Sequence, residues 1–195
     1  MQKISIVVML IFLIEAGNLF GQANDLKHLG TLKTDAGKRI ELYDNITKGQ
    51  GELTFHNEKG KLTNVDWKHI EWMQLGERKY IRHAKKDNAK DLNLLEILAQ
   101  SDKYQLLRME LSSKSFIYIF DMNNHLLEEM TLFLASGGGA KANNEKVEKT
   151  VSTYFSTCGD FVKKMEQNLK QHMDIFEGLG YFACEGAPDL GPLMK

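Results

Sequence analysis

A series of short apolar stretches, separated by turn residues, runs through residues 24–135 and constrains the fold more than any other feature. The stretches recur about every ten residues, a spacing typical of antiparallel meanders, rolls and barrels. A helix would need longer runs with a period of 3.6 residues. The candidate strands are residues 39–43, 51–56, 62–65, 70–73, 79–83, 94–99, 104–110, 115–120 and 125–134.

Two of these segments predict which strand faces are buried, and a third has to be assigned to strand or helix. Residues 116–120 are all apolar or aromatic, which predicts a strand in the middle of the sheet with both faces covered. Residues 52–56 alternate, so Leu53 and Phe55 are expected on the core face. Residues 93–100 contain good helix formers, but the turn that follows them favours a hairpin, so we predict a strand there as well.

The chain changes character after the last predicted strand. Residues 136–144 are rich in glycine and predict a linker, and two helices are expected over 145–173. Asn144 is the expected N-cap of the first helix, and Thr157 begins a capping box for the second. Both helices have one apolar face, so they must dock on the sheet. The sequence therefore predicts one α+β domain over 24–174, a meander, roll or barrel-like sheet followed by two helices, and an irregular tail over 175–195.

The N-terminal segment has the parts of a secretory signal peptide. After a basic start, an apolar run covers residues 4–14, and small residues at 21–23 provide a cleavage site. The run is shorter than the roughly 20 residues that span a bilayer, and Glu15 follows it at once. We predict cleavage after Ala23 and export to the periplasm or beyond. A buried N-terminal strand or helix is the alternative.

The charge of the mature chain restricts its partners. The full sequence carries a formal net charge of −1 at pH 7, and removal of residues 1–23 takes away one basic and one acidic residue. Nucleic acids bind basic proteins through counterion release, so we expect no nucleic-acid partner. We also expect that the mature chain does not span a membrane.

The two cysteines, Cys158 and Cys184, predict a disulfide. In an oxidising compartment an even pair in one short segment is most simply bonded. The alternative is a reactive Cys158, because a thiol at a helix N-terminus has a lowered pKa. His172 lies too far along the same predicted helix to act as its base. A disulfide requires the two Cα atoms to lie about 4.4–6.8 Å apart.

No motif identifies a catalytic, metal or cofactor site, and we expect none of the three. The glycine run at 137–139 is not a P-loop, because Lys141 is followed by Ala142 rather than by Ser or Thr. The histidines show none of the spacings of metal-binding motifs, although three of them, His56, His69 and His83, can converge from neighbouring strands. The full set is His28, His56, His69, His83, His125 and His172.

A cluster of basic residues is the one local excess of charge. It comprises Arg78, Lys79, Arg82, Lys85 and Lys86. A solvated hairpin is one interpretation, and a contact surface for an anionic component of the envelope is the other. Trp67 and Trp72 precede the cluster and are five positions apart, so on an uninterrupted strand they would face opposite sides. One is then a core residue, and Trp67, at the turn, is the candidate contact residue.

Three segments resemble secreted β-rich proteins of Bacteroidetes-type bacteria. They are residues 20–23, Phe-Gly-Gln-Ala, residues 66–70, Asp-Trp-Lys-His-Ile, and residues 154–161, Tyr-Phe-Ser-Thr-Cys-Gly-Asp-Phe. In such proteins a run of strands is followed by a helix with a Phe-x-x-Cys stretch, here Phe155 to Cys158. The resemblance implies no activity and no catalytic residue.

Two functional hypotheses follow. The favoured one is a non-enzymatic envelope protein that binds or supports another protein or a glycan or lipid surface. The alternative is an extracytoplasmic hydrolase whose active site no motif reveals. A deep polar pocket in which a histidine meets a carboxylate or Cys158 would favour the hydrolase, and a shallow aromatic surface would favour binding.

Overall fold

The computed structural model describes residues 26–49, 51–84, 92–134, 138–171 and 174–190. Over these ranges the chain forms a large antiparallel sheet followed by two helices, as the sequence predicts. The sheet remains open and does not close into a barrel. The predicted signal peptide and the basic residues Lys85 and Lys86 lie outside the described residues.

Over the described ranges the sheet has eleven strands, ten of which follow a meander with one change of order. In space the order is β10-β9-β8-β7-β6-β5-β1-β2-β3-β4, so β1 lies between β2 and β5. A single 3₁₀ turn, Trp67–His69, links β4 to β5. The ten strands are β1 (His28–Thr34), β2 (Arg39–Lys48), β3 (Glu52–His56), β4 (Leu62–Asp66), β5 (Ile70–Leu75), β6 (Arg78–Ala84), β7 (Leu92–Gln100), β8 (Tyr104–Glu110), β9 (Lys114–Asp121) and β10 (Leu126–Phe133).

The nine predicted strands are all present, and β1 is the one that the sequence pattern missed. Its two leucines, Leu29 and Leu32, are too few to give an alternating pattern. Four of the residues at 116–120 are buried, so both faces of β9 are covered as predicted. The strand is not in the middle of the sheet, because it lies between β8 and the edge strand β10. Leu53 and Phe55 are fully buried, as predicted.

Helices α1 (Gly138–Tyr154) and α2 (Gly159–Gln171) pack on the C-terminal half of the sheet. The prediction that residues 136–144 form a linker is wrong for 138–144, because α1 already begins at Gly138. Helix α2 begins at Gly159, two residues after the predicted cap at Thr157. Glycine disfavours helix, so the first turns of α1 depend on tertiary contacts.

Asn144 supplies such contacts instead of capping the helix. It lies within α1, is almost fully buried, and bonds to the backbone of Phe133 on strand β10. Its Oδ1 accepts from the Phe133 N–H at 3.1 Å, and its Nδ2 donates to the Phe133 carbonyl at 2.8 Å. The neighbouring Asn143 donates to the carbonyl of Thr131. The two asparagines thus cover part of the β10 edge, where unpaired backbone groups would otherwise invite another strand.

Buried apolar residues form three clusters. The helix core lies between the helices and β7–β10 and includes Leu98, Phe155 and Phe161. The N-terminal core lies within β1–β7 and includes Phe55 and Leu94. The outer cluster comprises Leu95, Ile97, Leu107, Tyr118, Phe120 and Leu190. Leu94 and Leu98 share one face of β7, so the helix core and the N-terminal core meet along this strand.

The described part of the C-terminal tail, residues 175–190, is packed despite its irregular backbone. Ile175 and Phe176 are fully buried in the helix core, and Leu190 is buried in the outer cluster. A two-residue strand, β11 (Phe182–Ala183), pairs in parallel with the end of β7, beyond the last residue that pairs with β6. The Cα atoms of Cys158 and Cys184 are 5.1 Å apart and the sulfurs are bonded, so the disulfide prediction is confirmed.

Replacement of Asn144 by alanine tests the role of α1 in covering the β10 edge. The Asn144→Ala variant leaves the N–H and carbonyl of Phe133 without their partners, and we expect it to lower the free energy of unfolding by about 1–3 kcal/mol. Lys146→Ala, at an exposed position of the same helix, should change it by less than about 0.5 kcal/mol. Urea unfolding of both variants measures the difference. Equal stabilities would show that Asn144 is not needed at this edge.

Candidate functional site

An open cleft of about 890 Å³ lies where three connections of the sheet converge. Its walls come from the β2–β3 turn, the 3₁₀ turn and the end of β8 with the turn after it. Five lining side chains carry formal charge: Lys48, Asp66, Lys68, Arg78 and Glu110. The cleft therefore combines charged and aromatic groups on loop ends, where binding residues are common.

Local hydrogen bonds hold the 3₁₀ turn against the β2–β3 turn. Gly51 has a φ of 87°, a conformation that glycine adopts without strain, and its carbonyl accepts from the Trp67 N–H at 2.9 Å. The Asp66 side chain accepts from the Lys68 N–H at 2.9 Å and caps the turn. The same carboxylate lies 2.8 Å from the Lys68 ammonium. Trp67 is thereby fixed in the wall of the cleft.

Trp67 contributes an aromatic side chain to the wall of the cleft. Its side chain is half-buried, with one part packed against the N-terminal core and another lining the cleft. The indole N–H is buried and has no hydrogen-bond acceptor among the described residues. Because that N–H exposes almost no surface, Trp67 offers the cleft the apolar part of its ring and not its donor.

Lys48 places an ammonium group over an aromatic ring. Its Nζ lies 4.3 Å from the centroid of the Tyr80 ring and donates to the Tyr80 hydroxyl at 3.0 Å. Desolvation by the surrounding residues lowers the pKa of Lys48, and the positive charge of Arg78 lowers it further. Among the described residues, no carboxylate lies within 4.0 Å of this ammonium.

Arg78 lines the cleft and forms ion pairs with two carboxylates. Its Nη2 donates to Glu96 at 2.7 Å and to Glu110 at 2.8 Å, and its Nε donates to the other oxygen of Glu96. The Glu96 hydrogen bonds raise the pKa of Arg78 above its usual value. For Glu110 burial acts to raise the pKa, but the hydrogen bond from Arg78 and the positive charges of Arg108 and Arg78 together outweigh it, so the pKa is lowered. Arg78 is therefore held as part of the wall.

Behind Arg78 the ion pairs continue into the protein. Arg108, which is 5% exposed, donates to Glu96 at 3.0 Å through Nε and to Asp174 at 2.8 Å through Nη1. Burial acts to lower the pKa of Arg108, but the charges of Glu96 and Asp174 outweigh it and the pKa is raised. We call Arg78, Glu96, Arg108, Glu110 and Asp174 the charge layer. It joins β6, β7 and β8 to the start of the tail.

The described residues of the predicted basic cluster lie at different places in the structure. Arg78 lies in the cleft with Trp67, but Lys79 points to the opposite face of β6, where its Nζ lies 4.3 Å from the centroid of the Tyr181 ring. Arg82 donates to the carbonyl of Lys68 and lies 3.5 Å from Asp35. The described members of the cluster therefore do not form one continuous basic surface.

Trp72 is more buried than Trp67, as predicted, but strand alternation is not the cause of the difference. Trp72 lies on β5 and is 4% exposed, which makes it the core residue of the pair. Trp67 lies in the 3₁₀ turn, so the two are not on one uninterrupted strand. The turn, and not strand alternation, brings Trp67 to the cleft.

Sequence reasoning missed Lys48 and the buried part of the charge layer. One signal was present, because Glu96 and Arg108 each interrupt an apolar run on neighbouring predicted strands. Opposite charges in two adjacent buried strands indicate a cross-strand ion pair. Nothing in the local sequence marks Lys48, since it reaches the cleft only through the packing of β2 beside Tyr80.

The described residues that line the cleft include no histidine and no cysteine, although His69 ends the 3₁₀ turn beside it. Cys158 is bonded to Cys184 and is no free thiol, so the alternative of a reactive Cys158 is wrong. Three histidines contact carboxylates at exposed positions and do not line the cleft. These pairs are His28 with Glu41, His69 with Asp35, and His125 with Asp121.

The described part of the chain contains neither a metal-binding cluster nor a helix that could span a membrane. No group of three or more His, Cys, Asp or Glu side chains there is arranged to hold a metal ion. No helix there is long and apolar enough to cross a membrane.

Comparison with known proteins gives no relative. No family model, no curated protein and no solved structure matches the chain. The geometry of the cleft is therefore the basis on which we propose a function.

Replacement of Glu96 tests whether the charge layer stabilises the fold. Glu96→Gln leaves Arg78 and Arg108 without their shared buried counter-charge, and we expect it to lower the free energy of unfolding by about 3–5 kcal/mol. Glu41→Gln breaks the exposed pair with His28 and should cost less than about 1 kcal/mol. Urea unfolding at pH 7 measures both. A Glu96→Gln variant as stable as Glu41→Gln would contradict a stabilising role for the layer.

Proposed function

We propose that this chain is exported and acts as a non-enzymatic binding module of the cell envelope, with the cleft around Trp67 as its binding site. The observation that carries the proposal is an ammonium group with no carboxylate partner beside an aromatic side chain in one open cleft. Lys48 and Trp67 both line the cleft, and among the described residues no carboxylate lies within 4.0 Å of the Lys48 ammonium. A cation beside an aromatic side chain in an open cleft favours the binding of an anionic ligand.

The disulfide supports the exported location. Bonded cysteines persist in oxidising compartments and are rare where thiols are kept reduced. The Cys158–Cys184 bond also ties the tail to the start of α2, so it is part of the folded domain. Together with the predicted signal peptide it favours a periplasmic or secreted protein.

The binding function is better supported than the hydrolase alternative. A hydrolytic site needs a nucleophile or activated water beside a general base. The described residues that line the cleft include no histidine and no cysteine. The two carboxylates there, Asp66 and Glu110, are paired with cations and have lowered pKa values, so neither holds the proton that a general acid needs. Tyr80, the hydroxyl nearest to Lys48, is almost fully buried, and desolvation raises its pKa, which is opposite to what a nucleophile or base requires.

Export predicts a defined mature N-terminus. When the full chain is produced in a bacterium with an outer membrane, we expect the protein in the envelope fraction to begin at Asn24. Intact-mass measurement of the purified protein distinguishes this from the full-length chain. Recovery of the protein with residues 1–23 still attached would contradict the export proposal.

The cleft itself can be tested by site-specific crosslinking in cells. A photo-crosslinking residue in place of Ser112, which is exposed at the rim, should form an adduct with an envelope component. The same residue in place of Lys163, exposed on α2, is the matched control and should form none. Trp67→Ala should reduce the yield of the Ser112 adduct. Adducts of equal yield at both positions, or none at either, would contradict a binding role for the cleft.

A further inference from the structure

We infer that the ligand of the cleft is an acidic glycan, whose uronic-acid carboxylate binds the Lys48 ammonium while a sugar ring lies against Trp67. The inference rests on the proposed binding function and names the ligand class of the same site. Three features of the cleft support this ligand class. They are the charges that are already paired, the chemistry of the remaining groups and the shape of the walls.

Most of the charge in the cleft is already paired. Lys68 lies 2.8 Å from Asp66, and Arg78 is held by Glu96 and Glu110. This leaves Lys48 as the lining cation without a carboxylate partner among the described residues. A ligand anion at this position would give the Lys48 ammonium the carboxylate partner that it lacks among the described residues.

Lys48 has donors left for such an anion. An ammonium group carries three N–H donors, and one of them bonds the Tyr80 hydroxyl. Desolvation of the ammonium lowers its pKa, which means that the folded protein holds the charged form at a cost. A carboxylate brought by the ligand would offset that cost through a charge-assisted hydrogen bond.

A single unpaired ammonium suits a carboxylate better than a phosphate. Phosphate sites usually combine an arginine fork, a helix N-terminus or several backbone N–H groups around one anion. Here the arginine that lines the cleft, Arg78, is engaged on both Nε and Nη2 by carboxylates. The lining of the cleft therefore offers one cation to one anionic group.

The other groups of the cleft match sugar hydroxyls. Hydroxyls both donate and accept, and the cleft offers acceptors on Asp66 and Glu110, whose side chains are 43% and 44% exposed. The part of the Trp67 indole that lines the cleft offers an apolar surface on which the C–H face of a sugar ring can pack. Charged groups in both walls make the cleft unsuitable for an acyl chain.

The walls of the cleft also argue against an extended acidic peptide. Such peptides commonly bind by pairing with the edge of a sheet. The walls here are formed by hairpin ends and the 3₁₀ turn. Of the two edge strands, β10 contributes no described lining residue, and β4 contributes only its last residue, Asp66. The acidic glycan is therefore the class that we propose.

Titration calorimetry with hexagalacturonate tests the inference on the mature chain, residues 24–195. We expect saturable binding that weakens at least about tenfold when the carboxylates of the probe are methyl-esterified, because the ester keeps the sugar chain but removes the charge. Lys48→Gln should weaken binding of the acid by about the same factor and leave binding of the ester unchanged. Trp67→Ala should weaken binding of both forms.

Lys79→Gln is the matched control for Lys48→Gln. Each lysine lies 4.3 Å from the centroid of a tyrosine ring, but Lys79 is on the opposite face of the sheet, so its replacement should not change the affinity. Thermal unfolding of both variants verifies that they fold. The comparison of acid and ester on the unmodified protein needs no variant, so a variant that fails to fold leaves the inference testable.

Three results would overturn the inference. They are equal affinity for the acid and the ester, binding of poly-L-glutamate without binding of hexagalacturonate, and no binding of either probe. If the Ser112 adduct still forms in cells, the proposed binding function stands and only the ligand class is wrong. If that adduct is also absent, the proposed function fails as well.

Discussion

The buried ion pair between Glu96 and Arg108 is the interaction on which the rest of the structure depends. On β7 the side chains of Leu94, Glu96 and Leu98 share one face, with Leu94 in the N-terminal core and Leu98 in the helix core. A charge at that position is tolerated only because Arg78 and Arg108 bond it from the strands on either side. The charge layer thus forms the boundary at which two apolar cores meet on one sheet.

The same layer reaches both the tail and the cleft. Arg108 bonds Asp174, the residue before two fully buried tail residues, and the tail is fixed a second time by the Cys158–Cys184 bond and by β11 at the end of β7. On the other side, Glu110 and Arg78 line the cleft, and their mutual pairing leaves Lys48 as the cation available to a ligand. Among the described lining residues, the paired wall thus lies beside an ammonium group that has no carboxylate partner.

The open sheet explains why a cleft exists at all. A closed barrel would place its loops at two ends, but here the sheet stays open and brings the β2–β3 turn, the 3₁₀ turn and the turn after β8 around one space. At the β10 edge an open sheet needs protection, which the helix α1 provides through Asn143 and Asn144. The glycine-rich start of α1 is helical because this docking outweighs its low helix propensity.

The sequence by itself determined the α+β class, nine of the ten main strands, the existence of two helices and the cysteine pair, because alternation, turn residues and amphipathic faces are local patterns. Only the tertiary structure decided that β1 inserts between β2 and β5, that α1 starts within the glycine run, and that Lys48 and Trp67 face one cleft. Each of these depends on contacts between residues far apart in the chain. Local pattern fixes which face of a strand is apolar, but not which strand lies beside it or where an open sheet leaves space for a ligand.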